Sequence, residues 1–183
     1  MNKSTFSQTI LVLTLAILVA GCSRESTAAV RSAASAPELQ SSQTFSVANS
    51  NKRIMQRFTK EFLPTGDAKL AEQFLSPDVT LYFAGQKQQG RDTYLGLVAS
   101  NREAFPDLAW TVDQLIAEGD TVAIRYTMTG THRGPFAGVA GTGRPVTAQS
   151  MAFYRLKNGK IVEERAQLDL LAVLQQIGAI PAN

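Results

Sequence analysis

Few side chains in this sequence can move a proton near neutral pH. His132 is the only histidine, and imidazole alone has an unperturbed pKa in that range. Counting by two from Val122 through Ile124, Tyr126 and Met128 puts His132 on the apolar face of a strand, at its end. It serves there either as a proton-transfer group at a cavity mouth or as an imidazole satisfied by backbone at a turn. Asp169 stands directly before Leu170-Leu171, where its carboxylate would cap the last helix by accepting from the first free N–H groups. In the preceding strand Ile161, Glu163, Arg165, Gln167 and Asp169 share one parity, with Val162, Ala166 and Leu168 on the other. A solvated polar face accounts for the first set. Trp110, Tyr126, Met151 and Phe153 are able to line a cavity, although aromatic side chains at strand spacing mostly build core.

Other chemistries lack their residues. The sequence contains no Gly-x-Ser-x-Gly, and its single Cys leaves no Cys/His pair in the folded part and no zinc pattern. The segment Gly134 to Gly143 ends in no Lys-Ser or Lys-Thr and leads into no helix, so it is not a phosphate loop. Its glycines suit a flexible rim or lid. The 183 residues carry a formal charge of +3, but no cluster of several Lys or Arg and no basic stripe with aromatics, so nucleic acid is not an expected partner.

The amino terminus reads as an address. Lys3 precedes an apolar run from Ile10 to Ala20, too short for the roughly 20 residues of a membrane-spanning helix and suited to a secretory signal. Leu18-Val19-Ala20-Gly21-Cys22 resembles the bacterial lipobox, whose Cys is lipidated and becomes the first residue. Residues 1–21 are thus expected to be a lipoprotein signal peptide, with Cys22 anchoring the chain in the cell envelope, facing the periplasm. Ser23 in place of Asp implies onward sorting to the outer membrane in a Gram-negative host. Ser-, Ala- and Thr-rich residues 22–47 read as a flexible tether, and 48–183 as one domain with its own core.

Elements must position these groups. The spacing of Ile54, Phe58 and Phe62 predicts a helix over 50–63 capped by Ser50, and Asp67 a second, short one. Val79, Leu81 and Phe83 alternate as a strand, and 90–105 form a third helix ended by Pro106. Strands follow from Leu108, from Thr121 to His132, from Val146 to Leu156 and from Ile161, the last two joined by the type I′ signal Asn158-Gly159. Leu170 to Ile177 has helical spacing and ends at Gly178. Helices first and long antiparallel strands afterwards mean an α+β fold.

That order resembles the cone-shaped fold of the nuclear-transport-factor-2-like (NTF2-like) superfamily. Several strings are similar to its SnoaL-like branch of polyketide cyclases, also called ester cyclases. They are Phe105-Pro106-Asp107-Leu108, Ala117-Glu118-Gly119-Asp120-Thr121-Val122-Ala123, Gly130-Thr131-His132-Arg133-Gly134-Pro135-Phe136, Thr142-Gly143-Arg144, Asn158-Gly159-Lys160-Ile161-Val162-Glu163-Glu164 and Leu174-Gln175-Gln176-Ile177-Gly178-Ala179. The resemblance implies a curved antiparallel sheet wrapped around N-terminal helices, an apolar cavity, and a homodimer through the outer sheet face. It implies acid/base catalysis without metal or organic cofactor, by an Asp at the position of Asp169, with His132 polarising a carbonyl. The reaction would be isomerisation or aldol-type closure of a small polyketide-like carbonyl compound, with Tyr82, Trp110, Tyr126, Phe153 and Arg165 about the ligand. Relatives commonly carry Trp at Arg165 and His at Tyr82. An inward Arg165 would lower the pKa of Asp169 and weaken it as an acid. These departures imply a different ligand, or a non-catalytic binding module for a small hydrophobic molecule. A third possibility is an interaction domain that works through its sheet face.

Overall fold

The computed structural model describes residues 36–181. Its elements are α1 (Ala36–Arg57), a π-helical turn (Phe58–Phe62), α2 (Ala68–Phe74), β1 (Leu75–Phe83), β2 (Gln86–Gln89), α3 (Arg91–Ala104), β3 (Ala109–Glu118), β4 (Thr121–Thr131), β5 (Pro145–Lys157), β6 (Lys160–Leu168) and α4 (Leu170–Ile177). The expected signal peptide, Cys22 and residues 22–35 of the expected tether lie outside the described residues.

The first helix starts earlier than the spacing predicts, at Ala36, so residues 36–47 are helical and Ser50 lies inside the helix rather than capping it. The stretch holds no glycine, and its one proline, Pro37, falls in the first turn, where a missing N–H costs little. Residues 43–47 are exposed and Ala48 is buried. Of the residues whose spacing predicts the helix, Phe58 and Phe62 are fully buried and Ile54 is half-buried, and Met55 beside them completes the buried seam. The π-helical turn stacks Phe58 on Phe62 at 5.2 Å and sets Phe58 edge-on to Phe74 and Tyr154. Asp67 caps α2 as expected, accepting from the Leu70 N–H at 2.9 Å.

Six strands form one sheet in the order β2-β1-β6-β5-β4-β3. All neighbours are antiparallel except β1 and β6, which run parallel. Strand β2 was not expected, because Gln86-Lys87-Gln88-Gln89 has no apolar alternation. Positive φ at Ala84 (48°) and Gly85 (76°) makes the type I′-like turn that folds it onto β1 as a polar edge. The same chemistry operates at Asn158-Gly159, with φ of 52° and 76°, and joins β5 to β6 as anticipated.

Two features decide which side chains face inward. Along β5, Val146, Ala148, Ser150, Ala152, Tyr154 and Leu156 are buried, so Met151 and Phe153 point outward at 59% and 57% exposure. In β6, Leu156 pairs with Ile161 but Arg155 with Glu163. Val162 is therefore an extra residue, a β-bulge that switches the parity of everything after it. Ile161 is buried before the bulge, Glu164 and Ala166 after it, and Arg165 is outside.

The larger apolar cluster packs α1, the π-helical turn and α2 on the inner sheet face. A smaller one joins Phe105, Met128 and Val146 to Val173 and Ile177 of α4. Gly178, at φ 81°, ends α4 by donating to the Gln175 carbonyl. The Gly134–Gly143 segment is pinned rather than free. Phe136 and Val139 exchange backbone hydrogen bonds at 2.9 Å, and Arg133 donates to the Ala104 carbonyl. A Cβ at Gly141 would meet the Arg133 carbonyl oxygen at 2.1 Å, and one at Gly134 the Glu103 oxygen at 2.3 Å. These glycines serve close backbone approach, not motion.

Candidate functional site

Between α3 and the inner face of the sheet lies a cavity of about 110 Å³. Leu97 and Val98 of α3 form one wall, with Leu81 and Phe83 of β1 and Trp110 of β3 opposite. The space exists because the inward positions at the centre of the sheet are small. Ser150, Ala152 and Ala166 line it where Leu or Phe would fill it.

One carboxyl group stands in this apolar lining. Glu164 of β6 is 7% exposed, and its Oε2 accepts from the Tyr94 hydroxyl of α3 at 2.5 Å. Burial pushes its pKa up from an ordinary 4.5 to about 7, against the pull of hydrogen bonds from Tyr94 and Tyr154 that favour the ionised form. Among the described residues none of the ion pairs involves Glu164. Tyr154, its cross-strand partner on β5, lies with its hydroxyl oxygen 3.3 Å from that of Tyr126 on β4. Burial drives all three phenols upward, reinforced at each by the charge of Glu164. They remain protonated donors across the physiological range. A carboxyl titrating near neutrality beside phenolic donors can take a proton from carbon and steady the charge that develops on oxygen.

The expected site residues divide into those inside and those outside. Trp110 and Tyr126 line the cavity and meet edge-to-face at 5.8 Å. Asp169 does not: it is exposed, and its carboxylate accepts from the Ala172 N–H at 3.0 Å as the cap of α4. The bulge at Val162 and the end of β6 at Leu168 turn it away from the inner face, which corrects the expectation of a buried acid. His132 points inward but past Gly130, into the smaller cluster, where it is fully buried against Phe105 and Phe136. Its Nδ1 lies 3.1 Å from the Thr142 hydroxyl, and it does not line the cavity. Phe153 is on the outer face because Ser150, Ala152 and Tyr154 hold the inner parity. Tyr82 and Arg165 are register partners outside, the guanidinium 3.9 Å over the ring. Arg165 also pairs with Glu163 at 2.9 Å, so its charge goes to Glu163 rather than Asp169.

Glu164, Tyr94 and Tyr154 went unrecognised in the sequence. The usable signal was the even parity of β5, which puts Tyr154 inside, but the strand partner that Asn158-Gly159 assigns to it is Glu163 unless the bulge is counted. No group of three or more potential metal-binding side chains occurs among the described residues, and no helix there is long and apolar enough to cross a membrane.

Comparison with known proteins agrees with this architecture. The sequence pattern of the family described as SnoaL-like polyketide cyclase matches residues 53–177. No curated protein matches. A solved structure from Jannaschia sp. CCS1, described as a SnoaL-like polyketide cyclase, is 28% identical with a TM-score of 0.68, covering 74% of this chain and 96% of its own. AclR from Streptomyces galilaeus, described as a hydroxylase, is 28% identical with a TM-score of 0.66 over 74% of this chain and 85% of its own. IdmH from Streptomyces antibioticus, described as a polyketide cyclase, is 28% identical with a TM-score of 0.63 over 70% and 98%.

Proposed function

Because this chain belongs to the SnoaL-like polyketide cyclase family, we propose that its cavity performs proton transfer on a small, largely apolar carbonyl compound, with Glu164 as the acid/base group. The carboxylate removes a proton from the carbon beside the carbonyl, and the electron pair moves onto oxygen, facing a phenolic O–H. The resulting enolate either attacks a second carbonyl of the same molecule, an aldol closure, or is reprotonated at another carbon, an isomerisation. Glu164 then gives its proton back. The observation that carries this reading is a single unpaired carboxyl, buried in an apolar cavity and titrating near 7. Native mass spectrometry of the full chain purified from its host, followed by turnover of the retained compound with wild type and Glu164→Gln, tests it. Loss of turnover in the variant supports the assignment, and equal turnover removes it.

The placement of Asp169 outside the cavity favours a second reading, a binding module that holds a hydrophobic ligand without converting it. Under that reading the compound stays unchanged in both proteins. AclR, described as a hydroxylase, illustrates that the fold by itself does not name a reaction.

Two further assignments accompany the site. Lipidation of Cys22, which supports membrane attachment in the cell envelope, predicts that Cys22→Ser moves the chain from the membrane to the soluble fraction; a wild-type chain found soluble refutes it. A homodimer through the outer sheet face is supported by Ile116 and Phe153, both exposed and both register partners of Ala123. Phe153→Glu is expected to convert dimer to monomer in sedimentation velocity, and a monomeric wild type removes this assignment.

A further inference from the structure

The hydroxyls of the cavity are not equally committed. Tyr94 donates to Glu164, while the hydroxyls of Tyr126 and Tyr154 face each other. The Tyr126 hydroxyl has only the Tyr154 oxygen, at 3.3 Å, beyond the roughly 2.5–3.0 Å of a well-made O–H···O bond. Either hydroxyl can donate in that long contact, so it does not hold the Tyr126 proton firmly, and a ligand oxygen at the same distance or closer would take it. Ring contact with Trp110 keeps the phenol in place, so this donor is preorganised. Its neighbour Tyr154 is the cross-strand partner of Glu164, so an oxygen-binding donor and a proton acceptor lie in the lining of one cavity.

The charges around the cavity are as one-sided as its donors. None of the side chains lining it is Lys, Arg or His. Arg125, Arg155 and Arg165 project from the outer face, where they pair with Asp113 and Glu163. His132 lies behind Phe136 in the other cluster. An anion inside would meet a carboxyl group and apolar walls with no counter-ion, an arrangement that costs more than binding returns. The volume, about 110 Å³, is of the order that holds one small ring.

We infer that Tyr126 is the group that binds the substrate's carbonyl oxygen, and that the cavity admits uncharged, single-ring-sized compounds while excluding carboxylates and phosphates. The inference rests on the proton-transfer reading for the word substrate, but its binding claim stands apart from Glu164. Three probes of one shape test it with the full chain: acetophenone, its carbonyl-free isostere α-methylstyrene, and benzoate. Acetophenone is expected to bind at least about tenfold more tightly than benzoate, with its carbonyl stretch moved to lower wavenumber. In Tyr126→Phe that shift disappears and acetophenone weakens about tenfold, the size of one lost hydrogen bond, while α-methylstyrene binds as before. Benzoate binding as tightly as acetophenone, an unshifted stretch in wild type, equal weakening of both neutral probes, or no binding of any probe overturns the inference. Glu164→Gln separates the two claims. If that variant still turns over the native compound while acetophenone continues to depend on Tyr126, the acid/base assignment fails and this one remains.

Discussion

Glu164→Gln is expected to lower turnover of the cavity's substrate by roughly 10²–10⁴-fold, the contribution of a positioned acid/base group. The amide keeps the shape of the side chain but cannot accept a proton from carbon. In wild type kcat/KM should rise with pH and level off above about 7, since the reacting form is the carboxylate and burial holds its pKa there. The variant's residual rate should lose that inflection. Asp169→Asn is the matched control: Asn caps a helix about as well as Asp, and residue 169 is exposed at the start of α4. Its profile should overlay wild type. If Asp169→Asn abolishes turnover and Glu164→Gln does not, the acid lies where the family resemblance first put it, and the geometry of the cavity has been misread.

Why the two carboxyls exchanged roles is a matter of one residue. The alternation of β4 was readable because Val122, Ile124, Tyr126 and Met128 are all large and apolar, and all are buried. In β5 both faces carry large side chains, with Tyr154 and Leu156 inside and Met151 and Phe153 outside. Size misleads there because a cavity requires small residues on its own side. In β6 the bulge at Val162 leaves no trace in composition: no Gly, Pro or Asn marks it. Counting by two from Ile161 groups Glu163, Arg165 and Asp169 on one face, which their polarity assigns to solvent and from which only the family resemblance turns Asp169 inward; the inner set is Glu164, Ala166 and Leu168. Local chemistry was legible, as at the Asp67 and Asp169 caps, the Asn158-Gly159 turn and the Gly178 stop. Those depend on a few neighbouring residues. The parallel pairing of β1 with β6 depends on long-range contact instead, and the polar edge β2, although joined to β1 by a local turn, is a short run of Gln and Lys with no apolar alternation to declare it.

The same substitution, Glu164→Gln, is expected to stabilise the folded chain by about 3 kcal/mol at pH 8 and to leave it nearly unchanged at pH 4. The sign follows from proton counting. The folded pKa is about 7 against an ordinary 4.5, so between those values the native state holds a proton that the unfolded chain has released. Stability therefore falls as pH rises through that window, by about 1.4 kcal/mol for each unit of difference. Below the window both states are protonated and the acid resembles the amide that replaces it. Above it, the native state carries a buried carboxylate with no cationic partner, and only the hydroxyls of Tyr94 and Tyr154 offset the lost hydration. Urea unfolding of wild type and variant at the two pH values measures the difference directly, since other carboxylates titrate alike in both chains. A Gln variant less stable than wild type at pH 8 would mean that the carboxylate is well satisfied where it stands. It would then be an ordinary structural group, and the cavity would lose the feature that makes proton transfer its chemistry. A gain, in contrast, shows a chain retaining a costly ionisable group in an apolar wall, the trade of stability for activity seen at working sites.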